Sequence, residues 1–431
     1  MIGLMASGPL HVLIVAAGSV GDVYPCVGIG CALRRRGHRV TVIANPWYER
    51  LVRRAGLDFA PVGTAEAQQE MLSHPRAWHP RSGWKVWMRM AARAPMREVY
   101  GAIEDRYERG RTVVAASWAG LGARIAQERL GVPLVSLHLE PDKLRSVHRS
   151  SVMPAPLVMA DFVPKLAKRW QYWLVDVAVV DRVLAPRLNR FRAELGLRPV
   201  RRVIDAWWHS PQRIVGLFPS WWGPVQPDWP DQVRLAGFPF WDDDEAPAAG
   251  EIEQFLADGP PPVVFTPGAV NRDAGGFFRA AVEACRIVGC RGLMLTRSAD
   301  QLPRDLPTGV RHFEYLRFSE MLPRVAAVVH HAGIGTAAQC LRAGVPQLVT
   351  PFMHFHRDTA RRLRRLGVGR EIGPGRIKGR VMADRLGSLL ASDGVRNRCR
   401  DFAGQCDGGG IERACSLIED LAGRDGEESS I

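Results

Sequence analysis

The sequence lacks the features that mark membrane-spanning and disulfide-stabilised proteins. None of its apolar runs approaches the roughly 18–20 residues that a transmembrane helix needs, and the longest candidate, 170–180, contains Asp176. The eight cysteines include no Cys-x-x-Cys pair, so we expect reduced thiols and no zinc or other metal site. The first nine residues carry no positive side chain, which argues against a signal peptide. We therefore expect a cytoplasmic protein.

A dinucleotide fingerprint is also missing. The turn after the first predicted strand contains Gly18 and Gly21 but not the third glycine of G-x-G-x-x-G. Gly28 and Gly30 fall inside the helix predicted over 25–36 rather than on the turn. A bound nicotinamide cofactor is therefore poorly supported.

Acidic residues are too few to balance the basic ones, and the formal net charge is +14. The arginine runs at 34–36 and 361–365 are typical of the solvated ends of amphipathic helices. Because the sequence contains no recognisable nucleic-acid-reading module, nucleic acid is not expected as a partner. A basic surface also suits anionic lipid or an acidic substrate, so peripheral contact with the inner membrane stays open.

Short β-branched strands alternate with helices along the chain, which is the pattern of an α/β fold with parallel sheets. In the first half we predict strands at 10–16, 39–44, 58–62, 112–116 and 133–137. In the second half we predict strands at 262–266, 291–296, 310–313, 325–329 and 346–350. The chain closes with helices predicted over 380–391, 394–405 and 411–422.

An acidic segment rich in proline and alanine, 242–250, divides the chain and is predicted to be a linker. All 13 tryptophans precede it, which suggests that the first half supplies an apolar cleft, and we predict a Rossmann-like domain over 1–241. We predict a second Rossmann-like domain with the closing helices over 251–424, and a flexible tail over 425–431. Two such halves imply a cleft between facing strand ends.

The strongest site signal is the segment 325–336. A buried strand ends at His330 and His331, and Gly333 and Gly335 then lead into a helix. A strand end, a glycine turn and a helix N-terminus together favour binding of a diphosphate. A fully satisfied core turn is the alternative for any glycine-rich loop of this kind.

Residues 329–336 (VHHAGIGT), with 343–346 and Pro351, resemble the donor motif of family 1 glycosyltransferases, which have the two-domain GT-B fold. Further similarity, to the rhamnosyltransferase catalytic subunits of rhamnolipid synthesis, rests on segments spread over nearly the whole chain. These segments are 18–23, 117–126, 209–212, 217–219, 228–230 and 237–239.

The resemblance implies an inverting, metal-independent transfer from a dTDP- or UDP-sugar to a hydroxyl group, with the nucleotide sugar as substrate and no cofactor. Such a reaction passes through an oxocarbenium-like state, needs a base for the acceptor proton, and must stabilise the departing diphosphate. His331 is implied to donate to a phosphate oxygen, and Tyr315 or Phe318 to stack on the base unless they are core residues. The residues implied to bind the donor are His331, Gly333, Gly335, Thr336, Gly268, Ala269, Tyr315, Phe318, Phe355, His356 and Asp358.

Asp22 is the predicted catalytic base. Many relatives carry a histidine at this position with an aspartate partner after the fourth strand, whereas Ala116, Ser117 and Trp118 supply no carboxylate here. A solvated aspartate has a pKa of roughly 3.9, and an apolar, closed site would raise that pKa towards the range of a useful base. The alternative is that Asp22 caps the following helix.

The sugar-binding position departs from the family pattern. Relatives usually place Asp-Gln after the proline at 351, and the corresponding pair here is Phe355 and His356. Loss of that carboxylate argues against ordinary hexose recognition. Phe355 could instead face the methyl group of a deoxy sugar, with His356 or Asp358 contacting a hydroxyl.

The acceptor is predicted to be hydrophobic and to meet Trp84, Trp87, Trp118 and His138. Our first hypothesis is transfer of a deoxyhexose, L-rhamnose, to an acceptor such as a 3-hydroxyacyl lipid. A polyketide-like natural product is a second acceptor class. A GT-B auxiliary or binding protein without donor chemistry and, with less support, a nucleotide-sugar epimerase are the alternatives from other classes.

Overall fold

The computed structural model describes residues 8–74, 79, 83–154, 157, 159–243, 249–268 and 274–428. The described chain divides into two compact units. The N-terminal unit contains described residues up to Trp241, apart from residue 79, and those from Gly408 onwards. The C-terminal unit contains described residues between Asp242 and Asp407.

A seven-stranded parallel sheet forms the centre of the N-terminal unit, in the order β3-β2-β1-β4-β5-β6-β7. Its strands are β1 His11–Ala16, β2 Arg39–Ala44, β3 Asp58–Pro61, β4 Thr112–Ser117, β5 Leu134–His138, β6 Arg213–Gly216 and β7 Val233–Leu235. The direction in which strands are added reverses between β1 and β4. Loops at the carboxyl ends of these two strands therefore diverge and leave a crevice, the usual ligand position in such sheets.

Helices cover both faces of this sheet. They are α1 Val20–Arg35, α2 Glu49–Arg54, α3 Ala65–Ser73, α4 Gly83–Arg93, α5 Met96–Glu104, α6 Leu121–Leu130, α7 Lys165–Val175 and α8 Asp181–Glu194. Successive β1 side chains point to opposite faces: Val12 and Ile14 pack in the core with α1, and Leu13 and Val15 pack in the core with α5, α6 and α8. Burial on both faces explains why the strands are continuously apolar.

The C-terminal unit repeats this plan with six parallel strands in the order β10-β9-β8-β11-β12-β13. They are β8 Val263–Thr266, β9 Gly292–Leu295, β10 Val310–Phe313, β11 Ala327–His330, β12 Gln347–Val349 and β13 Gly369–Glu371. Its helices are α9 Ala249–Ala257, α10 Gly275–Val288, α11 Phe318–Met321, α12 Ile334–Arg342, α13 His354–Leu366, α14 Gly379–Leu390 and α15 Asp393–Gln405. The reversal here lies between β8 and β11, and the two sheets confirm the predicted α/β fold class.

The last helix, α16 (Gly410–Glu428), belongs to the N-terminal unit. Its Ile411 and Ile418 are buried in the same core as α1, and Arg36, the residue after α1, binds Glu419 at 2.7 Å. The prediction that placed 411–422 in the second domain was therefore wrong, because a helical period reveals an apolar face but not the sheet that covers it. The helix also continues to Glu428, beyond the predicted start of a flexible tail, whereas 429–431 lie outside the described residues.

Helix α1 begins at Val20, five residues before the predicted start. Gly28 and Gly30 lie within it, as predicted. A Cβ atom at Gly28 would lie 2.7 Å from Cβ of Trp241, so this glycine serves close packing rather than a dinucleotide turn. In the part of the chain that the structure describes, no helix is long and apolar enough to cross a membrane.

Candidate active site

Asp22 lies in the first turn of α1, just beyond the carboxyl end of β1. Its Oδ2 accepts hydrogen bonds from the Ser19 backbone N–H at 2.7 Å and the Ser19 hydroxyl at 2.9 Å. The carboxylate therefore does cap the helix, which is the alternative that the sequence left open. Its Oδ1 accepts a hydrogen bond from the Trp118 indole N–H at 3.3 Å, so both oxygens are oriented by neighbouring groups.

The backbone around Gly18 is shaped to receive this carboxylate. Gly18 has a φ of +131°, and a Cβ atom there would overlap Oδ2 of Asp22. The Gly18 carbonyl accepts hydrogen bonds from the Tyr48 hydroxyl at 3.1 Å and from the Gln68 amide at 3.0 Å. Only glycine fits this position, because a side chain would collide with the carboxylate and strain the backbone.

Burial raises the pKa of Asp22 above its ordinary value, although the Ser19 hydrogen bonds, the Lys143 cation and the Trp118 hydrogen bond oppose that rise. Lys143 Nζ lies 6.0 Å from the centre of the Trp118 ring. Asp22 is thus a carboxylate that burial makes more basic while a nearby cation and three hydrogen bonds favour its ionised form.

A cluster of charged residues that was not predicted from the sequence follows β5 and lies near the Trp118 ring. Lys143 Nζ lies 3.1 Å from Oε2 of Glu140 and 2.9 Å from Oδ1 of Asp142. Burial raises the pKa of Glu140 to about 7 despite the adjacent cation, and repulsion from Asp142 and Asp22 adds to the rise. The charged run 140–143 could have predicted this cluster, since residues directly after β5 must lie beside the loop that follows β4.

His138 is enclosed rather than presented to a ligand. It is 2% exposed, and its Nε2 lies 3.0 Å from Nδ1 of His209. Burial lowers the pKa of His138 well below its usual range and that of His209 to about 4, so the pair is neutral near pH 7. Trp208 stacks on His209 and donates to the Trp118 carbonyl at 2.6 Å. The predicted acceptor contact of His138 stays a prediction, and in this structure the His138–His209 pair lies beneath the Trp118 loop.

The other predicted acceptor residues lie on different elements. Trp118 lies beside Asp22, as given above. Trp84 and Trp87 are both half-buried on α4, where Lys85 Nζ lies 5.7 Å from the centre of the Trp84 ring. The structure thus groups Trp118 with the candidate base and keeps the two α4 tryptophans on a separate helix.

His331 follows β11 in the C-terminal unit and is held among aromatic rings. It stacks on Phe352 with ring centres 5.9 Å apart and meets His356 edge-on at 4.8 Å. Burial lowers the pKa of His331 to about 3, so the imidazole is neutral and carries one N–H. Its buried Nδ1 has no hydrogen-bond partner among the described residues, which leaves this atom available to a ligand.

Two glycines allow the His331 ring to lie against the backbone. A Cβ atom at Gly268 (φ +98°), after β8, would lie 2.7 Å from Cε1 of His331, and one at Gly333 would overlap the ring from the other side. Both were predicted donor-binding positions. Ala269, another predicted donor-binding position, lies outside the described residues.

The turn between β11 and α12 is strained. Ala332 has a left-handed φ of +69°, which costs on the order of 1–3 kcal/mol for a residue with a side chain. Its N–H donates to Nδ1 of His330 at 3.2 Å, and Nε2 of His330 pairs with Oε1 of Gln347 at 3.0 Å. His330 therefore stabilises the turn from within the core, whereas His331 is the histidine that lies at the candidate donor site.

Helix α12 begins directly after this turn. Its first intrahelical bond runs from the Ala337 N–H to the Gly333 carbonyl, so the N–H groups of Gly335 and Thr336 belong to the first turn, which has no intrahelical acceptor. Gly335 is exposed, and a Cβ atom added to it would have no described atom within 4 Å. Free N–H groups and the positive end of the helix dipole favour an anion here.

The residues after β12 are only partly arranged as predicted. His356 is 4% exposed and packs against Phe352 at 4.5 Å and Phe355 at 4.4 Å. Asp358 is buried, and its carboxylate binds Arg361 at 2.5 Å and Arg362 at 2.8 Å. The prediction that His356 or Asp358 contacts a sugar hydroxyl stays a prediction, and in this structure the Asp358 carboxylate is paired with two arginines.

The two residues predicted to stack on the nucleobase, Tyr315 and Phe318, have different surroundings. Tyr315 is half-buried, with Arg297 5.6 Å from its ring centre and its hydroxyl 3.5 Å from the Asp243 carbonyl. Phe318 packs on the hydrophobic core that contains Leu316. Phe318 thus follows the core alternative, and Tyr315 stays the candidate for stacking.

Comparisons with known proteins agree with the two-sheet fold. Residues 293–404 match the model of the erythromycin biosynthesis protein CIII-like C-terminal domain, and residues 12–148 match that of the glycosyltransferase family 28 N-terminal domain. The calicheamicin glycosyltransferase CalG4 superimposes with a TM-score of 0.66 at 21% identity, covering 96% of this chain and 99% of that one. The spinosyn rhamnosyltransferase SpnG, solved with thymidine diphosphate, superimposes with a TM-score of 0.66 at 18% identity, covering 95% and 100%.

Sequence similarity extends over nearly the whole chain. The O-mycaminosyltylonolide 6-deoxyallosyltransferase of Streptomyces fradiae is 31% identical, with 96% of this chain and 98% of the relative covered. With the two matched sheets, this similarity defines the class: the chain belongs to the family 1 glycosyltransferases of the GT-B fold. The glycosyltransferase GtfC of Amycolatopsis orientalis is a further relative, 28% identical with 96% and 98% covered. The narrower resemblance to rhamnolipid enzymes stays a prediction.

Proposed function

We propose that this glycosyltransferase moves a 6-deoxyhexose, with inversion, from a dTDP-sugar to a hydroxyl group of a hydrophobic natural product. One observation carries the proposal: a neutral, half-buried His331, whose buried Nδ1 has no partner among the described residues, lies just before the start of α12. A neutral imidazole N–H and free helix N–H groups are the donors that a diphosphate needs.

Asp22 would act as the base in the transfer. The acceptor O–H bond breaks as the bond from that oxygen to the anomeric carbon forms, and the proton passes to the Asp22 carboxylate. Its Oδ1 accepts the Trp118 hydrogen bond at 3.3 Å, whereas Oδ2 accepts two shorter ones. Oδ1 is therefore the oxygen with capacity to take the proton, since a carboxylate oxygen has two lone pairs.

The donor half of the reaction would rest on the C-terminal unit. The bond from the anomeric carbon to the phosphate oxygen breaks, and its electron pair stays on the nucleoside diphosphate. His331 and the first turn of α12 would stabilise that growing negative charge. Because burial keeps the pKa of His331 at about 3, the donation comes from a neutral ring throughout the working pH range.

Two observations support a deoxy sugar. Phe355 and His356 form an aromatic surface with ring centres 4.4 Å apart, where a methyl group fits better than a hydroxyl. The relatives include a 6-deoxyallosyltransferase and a solved rhamnosyltransferase. The resemblance to rhamnolipid enzymes keeps L-rhamnose and a 3-hydroxyacyl lipid as the second candidate pair of sugar and acceptor.

A mass-spectrometric screen tests the proposal. The purified enzyme is incubated with dTDP-rhamnose, another dTDP-6-deoxyhexose or UDP-glucose, each with macrolide aglycones or 3-hydroxy fatty acids. We expect products that are heavier by one deoxyhexose, formed from the dTDP-sugars and the macrolides. A clear preference for UDP-glucose would overturn the deoxy-sugar assignment, and exclusive use of 3-hydroxy fatty acids would overturn the acceptor class. Absence of every product would favour the non-catalytic alternative.

A further inference from the structure

Helix α7 has an unusual distribution of polar and apolar side chains. Its inner face carries Lys168, which is 1% exposed and donates to the Val147 carbonyl at 3.4 Å. Tyr172 on the same face donates to the Ser146 carbonyl at 3.4 Å. The face that packs on the protein is thus held by polar contacts, the reverse of an ordinary surface helix.

The outer face of α7 and its flanks is apolar and exposed. The exposed fractions are 85% for Phe162, 77% for Leu166, 60% for Trp170, 46% for Trp173, 39% for Leu174 and 42% for Val177. We call these six residues the α7 apolar face. The spacing of three and four residues from Leu166 to Val177 places those five residues on one side of the helix, and Phe162 lies just before its start. A contiguous exposed patch of this kind marks an interaction surface rather than a scatter of single apolar residues.

Cations accompany this face. Lys165 and Arg169 are exposed on α7, and the helix contains no carboxylate between 165 and 175. The next acid, Asp176, is fully buried and paired with Arg145 at 2.7 Å. Lys165 and Arg169 outnumber the exposed Asp161, which directly precedes Phe162, so the exposed charge beside the α7 apolar face is positive on balance, on a chain whose net charge is +14.

We propose that the α7 apolar face docks on an anionic lipid surface. Leucine, phenylalanine and tryptophan side chains insert at the boundary of headgroups and acyl chains, and tryptophan favours that depth. Lys165 and Arg169 can extend their charged ends to the lipid phosphates while their aliphatic stems stay on the apolar face.

A second copy of the chain is the competing occupant, and the charges disfavour it. A two-fold contact brings the same patch of both copies together, so the Lys165 and Arg169 cations of both copies would be brought into one interface. Two chains with a charge of +14 each also repel one another at long range, whereas an anionic bilayer attracts each of them. An anionic lipid surface would bury the apolar side chains and attract the positive charges beside them.

Vesicle flotation tests the docking surface without donor or acceptor, so its result is independent of the proposed reaction. The full chain is mixed with phosphatidylcholine vesicles that contain or lack phosphatidylglycerol. We expect flotation with the anionic vesicles, reduced by salt. Leu166→Ser with Trp170→Ser should lower the bound fraction by more than about tenfold. Lys165→Gln with Arg169→Gln should weaken partitioning roughly thirtyfold, since each cation near the surface contributes.

The matched control is Val225→Ser with Ile287→Ser, which removes two apolar side chains that are 59% and 54% exposed elsewhere and should float like the wild type. The glutamine variant alters exposed side chains only, so it reports on docking even if the serine variant folds poorly. No flotation of the wild type, or flotation of both α7 variants equal to that of the wild type, would overturn the proposal. A dimer in light scattering that the serine variant converts to a monomer would assign the face to a second copy and also overturn it.

Discussion

Burial acts on the two central residues in opposite directions, and each direction suits its proposed role. It raises the pKa of Asp22, which makes the carboxylate a better base, and lowers that of His331 to about 3, which keeps the imidazole neutral. A buried acid and a buried imidazole both avoid charge, because the low-dielectric interior penalises the charged form of either. Lys143 and Trp118 oppose the rise at Asp22, because both favour its ionised form.

Replacing Lys143 with methionine should move the acid limb of kcat/KM to higher pH. The base must be ionised to act, so the limb follows the pKa of Asp22, and the Lys143 cation lowers that pKa. Lys143→Arg keeps the cation and should leave the limb in place. A pH–rate profile from pH 4 to 8 measures both. If the methionine variant were slower but its acid limb did not move, Lys143 would stabilise its loop without affecting the pKa of Asp22.

At the scale of elements, the donor candidate depends on how closely β8 and the β11–α12 turn approach each other. His331 fits between Gly268 and Gly333 because neither has a Cβ. Placing the imidazole thus requires two backbones from separate βα units, which is why a motif confined to 329–336 is not sufficient to define the site.

Gly268→Ala should lower kcat/KM by roughly a hundredfold, since its Cβ would lie 2.7 Å from the His331 ring and a shift of about 1 Å has that effect. Gly276→Ala on α10 is the matched control, because the atom nearest to its Cβ is the end of Arg279 at 3.9 Å. Steady-state kinetics with a dTDP-sugar compares them. Equal activity of the two variants would show that the position of His331 is not limiting.

The closing helix α16 offers a test of stability. Ile418 is fully buried in the core that α1 shares, so Ile418→Ala should destabilise the N-terminal unit by about 2–5 kcal/mol. The exposed Asp420→Ala on the same helix should change stability by less than about 0.5 kcal/mol. Urea unfolding followed by tryptophan fluorescence reports on this unit, since all 13 tryptophans precede residue 242. An unchanged midpoint for Ile418→Ala would contradict the packing of α16.

At the scale of the whole molecule, the sequence predicts the periodic features and misses the tertiary ones. Strands such as β1 and β11 were identifiable because parallel strands buried on both faces are continuously apolar. The short strands β7 and β13 have no such run, and the partner of α16 depends on long-range packing. The ion pairs of Asp358 with its arginines lie three and four residues along one helix and could have been predicted from helical spacing. The cluster around Lys143 depends instead on two loops meeting at the sheet edge.

The proposals at this scale are independent of each other. Transfer from a nucleotide sugar rests on Asp22 in one unit and His331 in the other, and lipid docking rests on the α7 apolar face. Catalysis without vesicle binding would support only the proposed reaction, and vesicle binding without catalysis would support only lipid docking.

The most direct test of the account compares Asp22→Asn with the wild type in two measurements, turnover of a dTDP-sugar and calorimetric binding of thymidine diphosphate. Asparagine keeps the size of the side chain and an oxygen that can accept from Ser19, but it cannot take the acceptor proton. The account predicts a loss of about 10²–10⁴ in kcat, with the dissociation constant for thymidine diphosphate within about twofold of the wild type. Near-normal turnover in Asp22→Asn would contradict its role as the base, and loss of both turnover and nucleotide binding would reduce Asp22 to a helix cap.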